Sequence, residues 1–425
     1  MKEQNNDKII KIEDSPLIEE SKDFNKNAPN KNIANDTAID VDGVSGYVLS
    51  SVKRKRINPT KNKKKSQHTK HKMKKSKKIL ITILSCILGL CLLVVGTFGF
   101  LYYRGKNGLL DKSGMSLNPP SDTKVIDNGN YIFYNGHNYR YKDSMTSILF
   151  MGVDKDELGT VKNVVGTGGQ ADALYLIAID TDNGVTTTFQ ISRNTMVDID
   201  LYNTAGDFIR TENNQICLSY AYGDGKETSA ENTVRSVRRL FYGLPVAQSY
   251  TALDISGISA LNDSIGGVTV TSPVTYKDDN NKVVYNEGQT YELHGKDAEN
   301  FVRSRNHETA NYNDNRMARQ KAYLNAFIDK TVSMTKSDIT TPVTIYNSAK
   351  PYMTTNLSAA KVSYLATDLL RKGITSADIQ KVPGKDKDGK NYVEYKVDNK
   401  KFFKMIVDTF YVQADWWRHY VQFTC

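Results

Sequence analysis

Four arginines and a glutamine near the start of one predicted helix are the residues of this chain best suited to chemistry. Arg316, Arg319 and Gln320 are spaced i, i+3 and i+4, so they share a face of that helix. Arg303 and Arg305 are two residues apart, which puts them on one side of an extended segment. Guanidinium groups bind phosphate in a bidentate manner, and the free N–H groups of a helix N-terminus favour anions. The set predicts a diphosphate site, with a solvated face of ordinary surface arginines as the alternative.

Two carboxylates and a fifth arginine stand at the ends of predicted strands. Asp154 follows the short apolar run at 147–152, and Asp172 comes directly before the run at 173–180. Arg193 follows the next β-rich run. Carboxylates at adjacent strand ends can hold Mg²⁺, which keeps several waters and bridges to phosphate oxygens. The pair is a candidate metal site, although each carboxylate alone is more typical of a turn.

Strand and helix patterns alternate around these residues. Short apolar or β-branched runs predict strands at 147–152, 173–180, 185–191, 268–270 and 392–396. Apolar periodicity predicts helices at 228–243, 312–334, 359–371 and 400–411. An Asn-Gly turn at 183–184 predicts a hairpin, and a second hairpin is expected around 131–139. The alternation indicates an α/β or α+β fold, with a mostly β central sheet flanked by helices in one domain.

Two of these helices carry more detailed signals. Thr228 and Glu231 form a capping box at the start of the first helix. Asp314 is expected to be the N-cap of the helix at 312–334. The buried stripe of that helix is predicted to be Leu324, Phe327, Ile328 and Val332.

Charge and hydropathy are distributed very unevenly. The net charge is +10, but residues 53–78 carry 14 Lys or Arg and no acid, whereas 104–425 carry 37 groups of each sign. The folded part therefore lacks a basic field, and nucleic acid is not an expected partner. Residues 79–103 are uncharged and long enough to cross a bilayer. The positive-inside rule then places 1–78 in the cytoplasm and the rest outside, with the basic tract against anionic lipid.

These patterns predict a single-pass protein of the cell membrane with an extracellular C-terminal domain. The predicted parts are a disordered cytoplasmic tail at 1–52, a basic juxtamembrane tract at 53–78, a transmembrane helix at 79–103, an extracellular linker at 104–142, a folded domain at 143–415 and a C-terminal tail at 416–425. A DNA-binding role for the basic tract is the alternative, because a membrane-tethered regulator could use it.

Several short segments occur in a distinctive order. They are SILFMGVD at 147–154, QADALYLIAID at 170–180, SRNTMVDI at 192–199, ICLSYAYGDG at 216–225, DSIGGVTV at 263–270, FVRSRN at 301–306 and NRMARQ at 315–320. Any one of them is weak, but in this order the sequence resembles the LytR–CpsA–Psr family of cell-wall glycopolymer transferases. The resemblance runs over residues 147–330, with a looser likeness to about 411.

The resemblance implies a Mg²⁺-dependent phosphotransferase. It would move a glycopolymer such as wall teichoic acid, capsule or another wall polysaccharide from undecaprenyl pyrophosphate to a peptidoglycan hydroxyl through a phosphodiester. Asp154 and Asp172 would hold Mg²⁺. The implied catalytic residues are Asp172, Arg193, Arg303 and Arg305, and the implied pyrophosphate ligands are Arg193, Arg303, Arg305, Arg316, Arg319 and Gln320. An apolar lipid tunnel is also implied, but a tunnel wall and a core look alike in sequence.

The chain departs from the family pattern at four positions. Gln170 stands in place of an arginine, Ala173 in place of a threonine, Asn194 in place of an aspartate and Cys217 in place of an asparagine. Because an asparagine side chain carries no charge, Asn194 cannot act as a base. The alternative function is therefore a catalytically weak relative that binds polyprenyl phosphates and regulates envelope assembly or transcription. His307 is the remaining candidate base near the arginines.

Overall fold

The structure is a computed structural model that describes residues 109–414 apart from 121, 160–166, 307–311, 373–377 and 391, and a few residues between 96 and 106. Among the described residues, no helix is long and apolar enough to cross a bilayer. The predicted span at 79–103 lies mostly outside them and stays a prediction. The predicted cytoplasmic and C-terminal tails and His307 also fall outside the described residues.

The described strands are β1 Lys124–Ile126, β2 Tyr131–Tyr134, β3 His137–Tyr141, β4 Met145–Val153, β5 Ala171–Asp180, β6 Thr186–Ile191, β7 Met196–Tyr202, β8 Phe208–Gln215, β9 Ser249–Leu253, β10 Val268–Thr271, β11 Tyr276–Lys277, β12 Val283–Tyr285, β13 Thr290–Leu293, β14 Met353–Thr355, β15 Asp378–Lys381, β16 Gly384–Asp388, β17 Val393–Val397 and β18 Tyr411–Gln413. The described α-helices are α1 Leu218–Ala221, α2 Glu227–Leu240, α3 Ile255–Ser264, α4 Lys296–Arg303, α5 Tyr312–Ser337, α6 Thr341–Ala349, α7 Ala359–Lys372 and α8 Asn399–Phe410.

A mixed six-stranded sheet forms the centre, in the order β14-β9-β4-β5-β6-β15. Strand β4 runs parallel to β9 and antiparallel to β5, and β5 is antiparallel to β6. The expected strands and the turn between β5 and β6 are confirmed. This connectivity brings the end of β4, the end of β9, the start of β5 and the end of β6 to one edge of the sheet.

The predicted hairpin near 131–139 is confirmed as β2 and β3. These two strands form a four-stranded sheet with β1 and with β18 near the end of the described chain. Part of the segment expected to be a linker is therefore folded against the domain. Leu117, which also lies in the predicted linker, is buried in the main core and so supports this correction.

The expected capping box at Thr228 and Glu231 is wrong. Helix α2 begins one residue earlier than Thr228, and the cap residue Lys226 makes no side-chain capping bond. The carboxylate of Asp224 instead accepts the backbone N–H groups of Lys226 and Ser229 at 2.8 and 3.2 Å. An aspartate in the preceding turn thus satisfies the free N–H groups that the threonine was expected to satisfy.

Two expectations for the long helix α5 are also corrected. Asp314 does not cap it, because it lies inside the first turn and pairs with Lys381 at 2.6 Å. The predicted stripe is half-buried and not buried, and its members Leu324, Phe327 and Ile328 line a cavity.

The two faces of the central sheet are packed differently. On one face, Leu149 and Leu176 are fully buried in the main core beneath α2 and α8. On the other face, Phe150 and Ile177 are only half-buried, because they border the cavity beneath α3 and α5. One face therefore provides a close-packed core, and the other provides room for a ligand.

Asp254 caps α3 from inside the fold, at the end of β9. Its carboxylate accepts the N–H of Gly257 at 2.8 Å, and the residue is only 2% exposed. Burial raises the pKa of Asp254 from 3.8 to about 6, and the charges of Glu157 and Asp156 add to the rise. The folded state thus holds this proton more tightly than the unfolded state does. The free energy of unfolding should therefore fall as the pH rises from 4 to 6.

We predict that Asp254→Asn removes this loss of stability, because asparagine caps helices as well as aspartate does. Denaturant unfolding followed by circular dichroism should show little change at pH 4 and a more stable variant at pH 8. The matched control is Asp398→Asn at the exposed cap of α8, where the N–H of Lys401 lowers the aspartate pKa. That variant should lose stability at pH 8. Identical pH profiles for the two variants would contradict the assignment.

Candidate active site

Three of the predicted site residues lie at one edge of the central sheet. Asp154 directly follows β4, Asp172 is the second residue of β5, and Arg193 lies two residues beyond β6. Leu174 of β5 is paired with Ile191 of β6, so Asp172 and Arg193 come to lie side by side. The antiparallel pairing of β5 with both β4 and β6 produces this arrangement.

Asp172 occupies an irregularity in the sheet. Gly152 pairs with Ala173 and Val153 pairs with Ala171, so Asp172 is an extra residue on the β5 side. A β-bulge of this kind re-aims the side chain of the extra residue. Here the carboxylate meets arginines from three different parts of the chain.

Three guanidinium groups contact the carboxylate of Asp172. Arg193 Nη1 lies 2.9 Å from it, Arg305 Nη2 3.1 Å and Arg316 Nη1 3.2 Å. Arg316 also donates to the Asp172 backbone carbonyl and to the side chain of Asn313, at 3.4 and 3.1 Å. One negative charge thus holds three positive ones, which leaves a strongly anion-attracting site.

Arg316 is the most buried of the three arginines. Its side chain is only 4% exposed, and burial lowers its pKa, an effect that Asp172 opposes. Arg305 is more accessible, at 28% side-chain exposure. A second anion could therefore approach the cluster from the side of Arg305.

Arg193 is held by two of the residues that depart from the family pattern. Its guanidinium donates to the side-chain oxygen of Gln170 and lies 3.6 Å from the sulfur of Cys217. Burial raises the pKa of Cys217 to about 11, so the thiol is neutral at ordinary pH. Gln170 and Cys217 therefore orient Arg193 without neutralising its charge.

Asn194 points away from this cluster. It is 7% exposed, its side-chain oxygen accepts from Gln215 at 3.2 Å, and Gln215 also donates to the Val393 carbonyl at 2.8 Å. The backbone oxygen of Asn194 accepts from Tyr395 at 2.8 Å. Asn194 thus joins strands of the fold and makes no described contact with Arg193.

Asp154 and Asp172 are the candidate metal ligands. Asp154 is exposed, and its carboxylate accepts the backbone N–H of Gln170. Within the described ranges, no group of three or more His, Cys, Asp or Glu side chains is arranged to hold a metal. Mg²⁺ often uses only one or two carboxylates, with water and substrate phosphate completing its shell. Two carboxylates bordering one cavity fit that kind of binding.

Three members of the cluster, Asp172, Arg305 and Arg316, line a cavity of about 610 Å³. Its polar lining includes Asp154, Asp172, Arg303, Arg305, Arg316 and Gln320. Its apolar lining includes Phe150, Ile177, Ile258, Leu261, Leu324, Phe327 and Ile328. A volume in this range suits a small organic ligand. The division into an arginine-rich end and an apolar interior suits an amphipathic molecule with an anionic head.

The remaining predicted ligands are placed differently from one another. Arg303 borders the cavity and pairs with Glu299 at 2.6 Å. Gln320 also borders it and donates to the Val302 carbonyl at 3.2 Å. Arg319 is not among the residues that line the cavity, and its guanidinium lies 4.4 Å from the ring centre of Tyr276. Arg319 is therefore separate from the cluster around Asp172.

Sequence reasoning missed two buried polar side chains beneath the site. Gln190 donates to the Tyr175 hydroxyl at 3.0 Å and to the Met317 carbonyl at 2.9 Å. The Tyr175 hydroxyl in turn donates to Gln320 at 3.4 Å. These bonds fasten the first turns of α5 to the sheet. Both residues lie within predicted strands, and a polar side chain there is the only sequence signal of such a role. Neither residue is part of a recognisable functional motif.

The chain is similar in sequence to known proteins. The model of the LytR_cpsA_psr family matches residues 119–409. The chain is 24% identical to a protein of Enterococcus faecalis over 70% of this chain and 84% of that one, and 26% identical to a protein of Bacillus cereus over 72% and 88%. Both are named polyisoprenyl-teichoic acid–peptidoglycan teichoic acid transferase TagU.

A solved structure shares the fold. The crystal structure of protein gbs0355 from Streptococcus agalactiae is similar with a TM-score of 0.50 at 18% identity, over 66% of this chain and 95% of that one. This likeness confirms a mixed α/β domain of the expected class.

We predict that Asp172→Asn destabilises the fold by about 3 kcal/mol, because three arginines would lose their shared counter-charge. Asp154→Asn is the matched control, since Asp154 is exposed and asparagine can still accept the Gln170 N–H. It should change stability by less than about 0.5 kcal/mol. Denaturant unfolding of both variants measures the difference. Equal effects would show that Asp172 does not hold the cluster together.

Proposed function

Because this chain belongs to the LytR–CpsA–Psr family, we propose that it transfers a glycopolymer from a polyprenyl-pyrophosphate carrier to peptidoglycan. Both curated relatives are named as transferases of teichoic acid from a polyisoprenyl carrier to peptidoglycan. Wall teichoic acid is therefore the first glycopolymer to test, with capsule or another wall polysaccharide as further candidates.

One observation carries this proposal: the arginine cluster and the apolar interior belong to the same cavity. A diphosphate would contact Arg305 and Arg316 at the polar end. A prenyl chain would extend along Leu324 and Phe327 into the interior. Neither a free sugar phosphate nor a simple lipid would use both parts.

The reaction is a phosphoryl transfer to an alcohol. A peptidoglycan hydroxyl oxygen attacks the phosphorus that bears the glycan and forms a phosphodiester. The bond from that phosphorus to the bridging oxygen breaks, and polyprenyl monophosphate leaves with the bond's electron pair. The hydroxyl proton passes to solvent. Such transfers depend mainly on positioning and on neutralising charge, which Arg193, Arg305 and Arg316 supply.

Asp154 and Asp172 would hold a Mg²⁺ ion together with the diphosphate. When bound, the ion would neutralise charge on the phosphate oxygens. The diphosphate would also compete with Asp172 for Arg305 and Arg316.

A lipid-linked donor requires the domain to work at a membrane surface. The uncharged segment 79–103 would anchor the chain there, and the basic tract 53–78 would contact anionic lipid on the cytoplasmic side. The domain would then act outside the cell membrane, where peptidoglycan lies.

The alternative function is a weak relative that binds polyprenyl phosphates and regulates envelope assembly or transcription. The residues at 170 and 194 motivate it. The contacts of both residues argue against it, since Gln170 orients Arg193 and Asn194 bonds to Gln215. We therefore favour an active transferase.

We predict that Arg305→Ala lowers kcat/KM for release of prenyl phosphate by about a hundredfold, because it removes a charged donor to the diphosphate. The assay uses the full chain, Mg²⁺ and a short-chain prenyl-pyrophosphate glycan. The matched control is Arg210→Ala, which removes a 62% exposed arginine paired only with Glu212 in the described contacts. That variant should keep its activity. Equal activity of both variants would exclude the site.

We also predict that Asn194→Asp changes the same rate by less than about threefold, because residue 194 faces Gln215 and not the diphosphate cavity. The comparison is made on purified full-length proteins under identical conditions. A gain of tenfold or more would favour the weak-relative alternative, since an aspartate would then restore a missing catalytic group.

A further inference from the structure

Arg319 lies within one turn of Arg316 on α5 but contacts the tyrosines of β11 and β12. It is only 1% exposed, and its guanidinium lies 4.4 Å from the ring centre of Tyr276 and 6.0 Å from that of Tyr285. Burial lowers the pKa of Arg319 to about 10, so it is still charged at neutral pH. A buried cation over an aromatic ring is a strong contact of its kind.

Arg319 and the strand β11 together hold the backbone on both sides of Arg305. The Arg319 guanidinium donates to the carbonyl of Ser304. The side-chain amide of Asn306 donates to the carbonyl of Asp278, directly after β11, at 3.2 Å. Arg305 thus stands between two residues that are tied to the hairpin formed by β11 and β12.

The hairpin itself is anchored in a small core of its own. The Tyr285 ring packs edge-on against Phe301 of α4 at 4.9 Å and against Tyr291 at 5.2 Å. Tyr276 lies beside Tyr285 with ring centres 6.0 Å apart. Tyr276 is therefore held in place and can fix the position of the Arg319 guanidinium.

We propose that the β11–β12 hairpin is a positioning element of the anion site, which sets the place of Arg305 through the contact between Tyr276 and Arg319. Arg319 is then a positioning residue and not a diphosphate ligand. This inference rests on the proposed function in one respect, namely that the ligand of Arg305 is a diphosphate. A displacement of about 1 Å at such a contact can cost a large factor in rate.

The test compares Tyr276→Leu, which keeps apolar bulk but removes the ring, with Tyr276→Phe, which keeps the ring. Val284→Ala is the control on the same hairpin, because Val284 is 41% exposed. Two measurements are made on each full-length protein. One is hydrogen exchange of peptides covering residues 299–306, and the other is the Kd for farnesyl pyrophosphate.

Tyr276→Leu should raise exchange in this segment and weaken binding by about tenfold, whereas Tyr276→Phe and Val284→Ala should match the wild type. Unchanged exchange in Tyr276→Leu, or an equal rise in Tyr276→Phe, would overturn the inference. The expected exchange pattern without farnesyl pyrophosphate binding by the wild type would support the positioning role and reject the proposed function. The two failures are thus distinguishable.

Discussion

The carboxylate of Asp172 is the contact on which the candidate site depends. Without it, the guanidinium groups of Arg193, Arg305 and Arg316 would repel one another at close range. Its position results from the bulge at the start of β5, which turns the side chain toward arginines from α5 and from the loop after α4. Stability and anion binding therefore depend on the same charge. In the proposed function, a diphosphate would compete with Asp172 for Arg305 and Arg316.

The central sheet separates this polar site from the rest of the fold. Its close-packed face supports the domain through aromatic contacts such as Phe189 with Phe241, whose ring centres lie 5.2 Å apart. Its other face leaves space beneath α3 and α5. Because the stabilising core lies on the opposite face, the cavity can stay open without loss of the main packing energy. The sheet thus supplies both a rigid support and a wall of the cavity.

Sequence patterns predicted much of this arrangement, and the errors have physical causes. The sequence placed Asp154, Asp172 and Arg193 at the ends of predicted strands, and the antiparallel pairing of β5 with β4 and β6 brings those ends together. Arg319 was wrongly predicted to share the ligand-binding face of Arg316 and Gln320, because residue spacing gives only the approximate direction of a side chain around a helix. At 3.6 residues per turn, Gln320 is rotated from Arg316 by about 40°, whereas Arg319 is rotated by about 60° the other way. The hairpin that holds Arg319 could not be inferred from α5 alone.

The apolar stripe of α5 shows a second limit. Leu324 and Phe327 have the same pattern whether they face a core or a cavity, so periodicity predicted only that they face inward. Only tertiary structure shows that the opposite wall stands back from them. Asn194 is a third case, because its type suggested lost chemistry, whereas its contact with Gln215 shows a structural role.

The central claim is that one cavity binds an anionic head and an apolar tail together. Calorimetric titration of the full-length protein with farnesyl pyrophosphate, inorganic pyrophosphate and farnesol, each in the presence of Mg²⁺, tests it most directly. We expect farnesyl pyrophosphate to bind at least about tenfold more tightly than either of the other two, because it alone fills both parts of the cavity. Equal affinities for farnesyl pyrophosphate and inorganic pyrophosphate would contradict the claim, since the apolar interior would then contribute nothing.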